Sequence, residues 1–356
     1  MVDTAESNRS DISAGNSSVA EPARRLAAHV TEDSRQFVEL CAGALDPAGL
    51  HHVAAYHRGV FNYSVDILDA LDSSGCLPAG LETRFCRDLY IRVGRQLNFL
   101  LDRMDRALRP VESGRLIRTV LRLGEASVFH YHVRPGEYLT GVSLGRENEE
   151  PGDRAMARLA TRFAAVLRQR GLNYGGFEEE PKPSESDRPT RTAAPGPTGK
   201  EEALHTDRLG LLGPEADRIR ELCVEALSSD DLHYAAYVDP RAGLISTDVL
   251  ELADLAPYFR NITRPGRRER YQDIAGRLPF VVARMNHSLK AVLPGRLTRT
   301  VLDVDEGALY YVAMGNGAFL LGSTLHQDRV FHADLRMNML ANSVQEIIKE
   351  RDWNSN

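Results

Sequence analysis

An eight-residue phrase that occurs twice constrains this chain more than any other feature. Residues 114–121 read GRLIRTVL and residues 295–302 read GRLTRTVL, with one mismatch in the eight. The echo runs outward at the same spacing, from Glu125 and Glu306 to Gly136 and Gly317, Leu139 and Leu320, Gly141 and Gly322, and Leu144 and Leu325. A period this long is beyond the roughly 20–50 residues of a solenoid unit and marks a duplicated domain. The 356 residues suit two cores, since one core rarely grows past roughly 250–300 residues.

The apolar spacing predicts the same elements in each copy. A helical pattern spans Pro22 to about Leu45, with Phe37, Leu40, Cys41, Ala44 and Leu45 on one face. Ile219, Leu222, Cys223, Ala226 and Leu227 repeat it. Two short strands follow, around Arg58-Gly59 in the first copy and around Pro240 to Gly243 in the second. After connectors at about 69–80 and 251–266 comes the longest helix. Its apolar face is Val93, Leu97, Leu100, Leu101, Met104 and Leu108, matched by Ile274, Leu278, Val281, Val282, Met285 and Leu289. Pro110 and Pro294-Gly295 end these helices.

Three strands are predicted next, at 115–123, 126–133 and 137–144, then at 296–304, 308–314 and 318–325. Asn316-Gly317 is a strong hairpin turn. A last amphipathic helix carries Met156, Leu159, Phe163, Val166 and Leu167, or Met337, Leu340, Val344, Ile347 and Ile348. The expected division is a disordered tail at 1–21, a first domain at 22–171, a Pro/Glu/Ser-rich linker at 172–210 and a second domain at 211–352.

Composition narrows the function classes. A formal net charge of −6 gives no overall basic field for nucleic acid. The arginines from Arg264 to Arg270 read as a solvated helix start. Cys41, Cys76, Cys86 and Cys223 form no CxxC pair and suit a reducing cytosol. The first residues lack the basic start and apolar stretch of a secretory signal. No run reaches the ~18 apolar residues of a membrane helix. The expectation is a cytoplasmic protein that inserts in no membrane.

Catalytic signatures are missing from the spacing. There is no GxxxxGK[ST], and the one Gly-Lys pair, Gly199-Lys200, lies in the linker. No HExxH, no GxSxG and no strand-linked GxGxxG occurs either. His130 and His132 share a strand face, which is half a metal site or a polar sheet face, and no third ligand is evident. His51, His52 and His57 near the first hairpin are read the same way. No enzyme activity, cofactor or metal is therefore expected. Arg118 and Arg299 occupy equivalent strand positions. They are candidate contacts to a partner carboxylate or phosphate, or else structural ion pairs beside Asp303 or Glu306.

The order of elements resembles the roadblock / dynein-light-chain family in both copies, at about 30–170 and 213–350. The closest stretch is RLTRTVLDVDEGALYYVAMGNGAFLLGSTL, with AAYVDPRAGLIS resembling the family's first hairpin. The connector before the long helix is longer than the family's, and the first copy has Tyr-His-Arg-Gly in place of the Asp-containing first turn. The resemblance implies an α+β fold of two tandem αββαβββα domains. Each would have a five-stranded, mostly antiparallel sheet with helices on both faces. It also implies a non-catalytic platform that binds, regulates or scaffolds a Ras-like small GTPase. The Ala/Arg/Asp-rich composition is that of a high-GC bacterial protein. In the family the long helices pair. Here Leu97, Leu101, Met104 and Leu108 would meet Leu278, Val282, Met285 and Leu289, as an intrachain pseudo-dimer or by self-association. A sensory module of PAS- or GAF-like type, with a ligand in a sheet pocket, is the alternative.

Overall fold

The fold was analysed in a computed structural model describing residues 21–71, 82–177, 196–290, 293 and 295–354. The tail through residue 20, most of the first connector with Cys76, Pro294 and the linker's middle at 178–195 lie outside these.

In the first half, chain order runs β1 (Ala23–Leu26), α1 (Arg35–Ala42), β2 (His52–His57), β3 (Val60–Asp66), α2 (Leu68–Leu71) and α3 (Thr83–Leu108). It continues with β4 (Leu116–Leu123), β5 (Ala126–Arg134), β6 (Glu137–Leu144) and α4 (Glu149–Val166). The second half begins with α5 (Lys200–Ala203), β7 (His205–Gly210), α6 (Glu215–Ala226), β8 (Tyr234–Asp239) and β9 (Gly243–Asp248). It closes with α7 (Arg264–Leu289), β10 (Leu297–Val304), β11 (Gly307–Gly315), β12 (Ala318–Thr324) and α8 (Val330–Asn354).

All the strands join one antiparallel sheet in the order β1-β3-β2-β6-β5-β4-β10-β11-β12-β8-β9-β7. The order reads the same from the centre outward in both directions, edge strands included. Alternate residues of β5 show what covers each face. Tyr131 donates to Asp153 of α4 (2.6 Å), whereas His130 meets Asn98 of α3 on the other side (2.7 Å). The mixed helix-and-sheet architecture matches the α+β expectation, and the core is packed on both faces of the sheet.

Contacts recur at the repeat spacing as faithfully as the elements do. Asp66 takes Arg87 and the amide of Leu68, and Asp248 takes Arg268 and the amide of Leu250. His51 Nδ1 accepts from the Leu144 amide and His233 Nδ1 from the Leu325 amide. The long helices are tied to the strands they precede by Asp105 and Asn286, which accept from the amides of Leu116 and Leu297.

Four expectations need correction. The helix expected from Pro22 is a strand at Ala23–Leu26 and a helix only from Arg35, because residues 23–26 pair with Tyr63–Asp66 of β3. Among the described residues each half contributes six strands rather than five. The extra edge strand in the second half is β7, paired with β9. Part of the expected linker is thus folded. Besides β7, Tyr174 to Phe177 lie against the second half, where the Gly175 amide donates to Asp303 (2.8 Å). Finally, the cluster from Arg264 is not a solvated start. Arg267 is fully buried and donates to Ser113 and the Tyr258 carbonyl, and Arg268 is buried on Asp248.

Candidate functional site

The duplicated phrase forms the junction. Its two copies are β4 and β10, which pair antiparallel with Val120 opposite Val301. The first residue of each copy, Gly114 or Gly295, has positive φ (87° and 109°) where the chain turns into the strand. A side chain on Gly114 would reach within 2.5 Å of the Asp305 Cβ, and one on Gly295 within 2.9 Å of the Gly124 amide nitrogen. Only glycine fits such a backbone against the opposite half.

Arg118 and Arg299 lie on the α4/α8 face of this junction and are 4% and 5% exposed. Arg118 binds Asp153 of α4 through both Nε and Nη2 and reaches across to Asp303 of β10 (3.2 Å). Arg299 binds Asp334 of α8, the counterpart of Asp153, and Glu149 of α4 across the junction. Glu149 also takes Arg122 and Ser127. These arginines are internal ion pairs, with no free guanidinium face for a partner to meet. Burial works against both charges, but the neighbouring carboxylates win and raise both arginine pKa values. Burial likewise pushes Asp303 up to about 6, against the pull of Arg118. For Glu149 the hydrogen bond from Arg122 and the charge of Arg299 overcome burial and lower the pKa.

Helices α3 and α7 lie together on the opposite face. All eight residues expected there, Leu97, Leu101, Met104, Leu108, Leu278, Val282, Met285 and Leu289, are buried. Met104, Leu108 and Leu278 border a mostly apolar cleft of about 80 Å³ between the helices, beside Ala107, Ile274 and Val281, with Arg270, Asp273 and Arg277 at its edge. The outer surface of this pair is the candidate docking site. Phe99 and Phe280, at equivalent repeat positions, are 61% and 79% exposed. Each is followed one turn later by an exposed arginine, Arg103 or Arg284, and Arg103 stands 6.0 Å from the Phe99 ring. Along α3 and α7 eight arginines but only three carboxylates are exposed, in a chain of net charge −6. Helical periodicity marks the buried stripe and leaves these two phenylalanines outside it. Their recurrence at one repeat position was the signal that could have found them.

The histidines serve the fold. His51 and His233 cap strand amides, and burial with the neighbouring His132 holds His130 down to about 3. His57 sits exposed against Glu137. Among the described residues no group of three or more His, Cys, Asp or Glu could hold a metal. The junction holds a polar cleft of about 240 Å³ on the α4/α8 side. Larger hollows of about 590 and 490 Å³ are open surface grooves. No described helix is long and apolar enough to cross a membrane.

No protein-family model and no curated protein matches the chain. Two solved structures are similar to part of it, the gliding protein mglB from Thermus thermophilus and MglB with tetrameric arrangement. Each is 18% identical with a TM-score of 0.32 and covers 40% of this chain, and 96% and 98% of its own.

Proposed function

We propose that this chain is a non-catalytic docking platform, built from two roadblock-like units in tandem, that holds a Ras-like small GTPase on the α3/α7 face. The observation that supports this most is the pair Phe99 and Phe280. Core packing has no use for two exposed phenylalanines, yet the repeat keeps both, each with an arginine one turn on. Aromatic and arginine side chains are the usual anchors of protein interfaces. The excess of arginine on this face selects an acidic partner surface and speeds its approach. Any effect on GTP hydrolysis would come from reshaping the partner's switch loops, not from a residue inserted into its site. Arg118 and Arg299 are already committed to internal carboxylates.

The test is titration of the full chain with the Ras-like GTPases of its own organism, loaded with GDP or a GTP analogue. One of them should bind, more tightly in one nucleotide state. The double substitution Phe99→Asp, Phe280→Asp should weaken it by about 100-fold or more. Stability should change by no more than about 0.5 kcal/mol per site, because both side chains are exposed. Binding that survives the double substitution would rule out this face.

A further inference from the structure

Helices α3 and α7 do not close completely on each other. Of the residues lining the cleft of about 80 Å³ between them, Met104, Leu108 and Leu278 are buried, Ile274 and Val281 are half-buried, and Ala107 is exposed at the mouth. Walls that face such a gap forgo the dispersion contacts a filled core would give them.

The cleft is continuous with the docking face on both helices. On α3, Phe99, Arg103 and Ala107 follow one another at intervals of four, so one side of the helix leads from the exposed ring to the cleft mouth. On α7, Arg277 at the cleft edge lies one turn before Phe280. The charges at that edge are unequal. Arg270 is paired with Asp273 (3.2 Å), whereas Arg277 is exposed and enters no ion pair among the described residues. Pairing of the long helices does not require these residues. At the equivalent positions the chain has Ser288 for Ala107, Gln96 for Arg277 and Arg92 for Asp273, whereas the buried stripe is apolar in both copies.

Volume selects the occupant. A space of about 80 Å³ is well below the roughly 300–1,000 Å³ of small-molecule pockets. It is about half of the roughly 150 Å³ cavity that holds benzene, and it suits the end of a single side chain. We propose that the cleft is the anchor socket of the docking face. It takes one apolar side chain of the partner GTPase, of the size of leucine or methionine, with a partner carboxylate beside it on Arg277. This rests on the GTPase reading, because it names what that partner inserts. An apolar anchor seated in a pocket carries much of an interface's binding energy. An exposed ion pair adds little, and its part is to orient the approach. A second copy presenting the same face would set its exposed arginines against these.

The experiment titrates the full chain and its variants with the purified Ras-like GTPases of its own organism, in GDP and GTP-analogue forms. Ala107→Trp fills the cleft from its mouth and should weaken the complex about 30-fold or more. Arg277→Glu should weaken it about three- to ten-fold, and less in high salt. Ala107→Ser, which leaves the cleft open, should bind like the parent. Melting temperatures should be unchanged in all three, because both positions are exposed. Equal binding by the parent and Ala107→Trp overturns the inference and leaves the docking face standing. Failure of every such GTPase to bind the parent ends both. A loss in Ala107→Ser as large as in Ala107→Trp would mean contact at the mouth without insertion, and full binding by Arg277→Glu would remove the paired carboxylate. Either overturns the inference. So does a concentration-dependent doubling of the parent's mass that Ala107→Trp abolishes, which would put a second copy in the cleft.

Discussion

Arg118 and Arg299 are one residue of the repeat in two electrostatic settings. Each keeps its own aspartate, Asp153 or Asp334, but the residues facing them across the junction differ. Asp303 stands opposite Arg118, and Arg122 stands opposite Arg299, where Glu149 enters to separate the two cations. Three arginines thus share the site with four carboxylates. Burial places the surplus on Asp303, whose pKa rises from 3.8 to about 6. The sequence showed the two arginines and named ion pairing as one of their readings. It did not show Asp153, Asp334 or Glu149 as partners, because these come from helices about 30 residues or more away in the chain.

The pH dependence of stability follows from the directions of shift. Asp303 holds a proton in the folded state that the unfolded chain has already released, so its contribution is present at low pH and is lost as pH rises through about 6. His52, His130 and His233 are buried neutral, with pKa values lowered by burial to about 4, 3 and 3. Their contribution is present above about 6.5 and is lost as pH falls. Each histidine shift is at least as large as that of Asp303, so the histidines win. The unfolding midpoint in urea should fall as pH drops from 7 to 4.5. The variant Asp303→Asn should gain on the parent as pH rises from 4.5 to 6, at up to about 1.4 kcal/mol for each pH unit. A constant difference between the two would mean that Asp303 does not carry the surplus.

At the scale of elements, the octapeptide is retained because one strand type has to meet its own counterpart. Gly114 and Gly295 clear the opposing turn, Leu116 and Leu297 are held by a helix side chain, and Val120 faces Val301. Elsewhere the halves drift in compensated pairs. Gly94 of α3 makes room for Tyr56 of β2, whose hydroxyl donates to the Ile91 carbonyl (2.8 Å). The equivalent pair is Ala275 and Val238, both buried.

Gly94→Ala should therefore destabilise by about 1–3 kcal/mol through overpacking, although alanine is the better helix former by about 1 kcal/mol. In a Tyr56→Val background the same change should be neutral or stabilising. The coupling would appear in a double-mutant cycle of denaturant midpoints, and simple additivity would contradict the size exchange. The long helices and the seam strands were legible because their periods are long and their residues strongly apolar. Strands β1 and β7 were not. ARRL and HTDRLG are short, charged segments that become strands only by adding to an existing edge.

For the whole molecule, the internal repeat and the mixed helix-and-sheet fold could be read from one sequence, because a repeat supplies a second example of most positions. The manner of joining could not. Strand pairing between β4 and β10 depends on the tertiary approach of two edges about 180 residues apart, which no local period encodes. The linker was overextended for the same reason. Asn173 to Phe177 have no regular pattern and are placed by contacts with Asp303, Gln327 and Phe331 of the other half.

The central claim is that both halves of a single chain build one continuous sheet. Amide hydrogen exchange across Leu116–Leu123 and Leu297–Val304, followed over a hundred-fold dilution, tests this most directly. The structure predicts protection in β4 and β10 that matches β5 and β11 and does not change with concentration. Protection of β4 and β10 that fades on dilution, while β5 and β11 stay protected, would place the junction between chains and contradict the account.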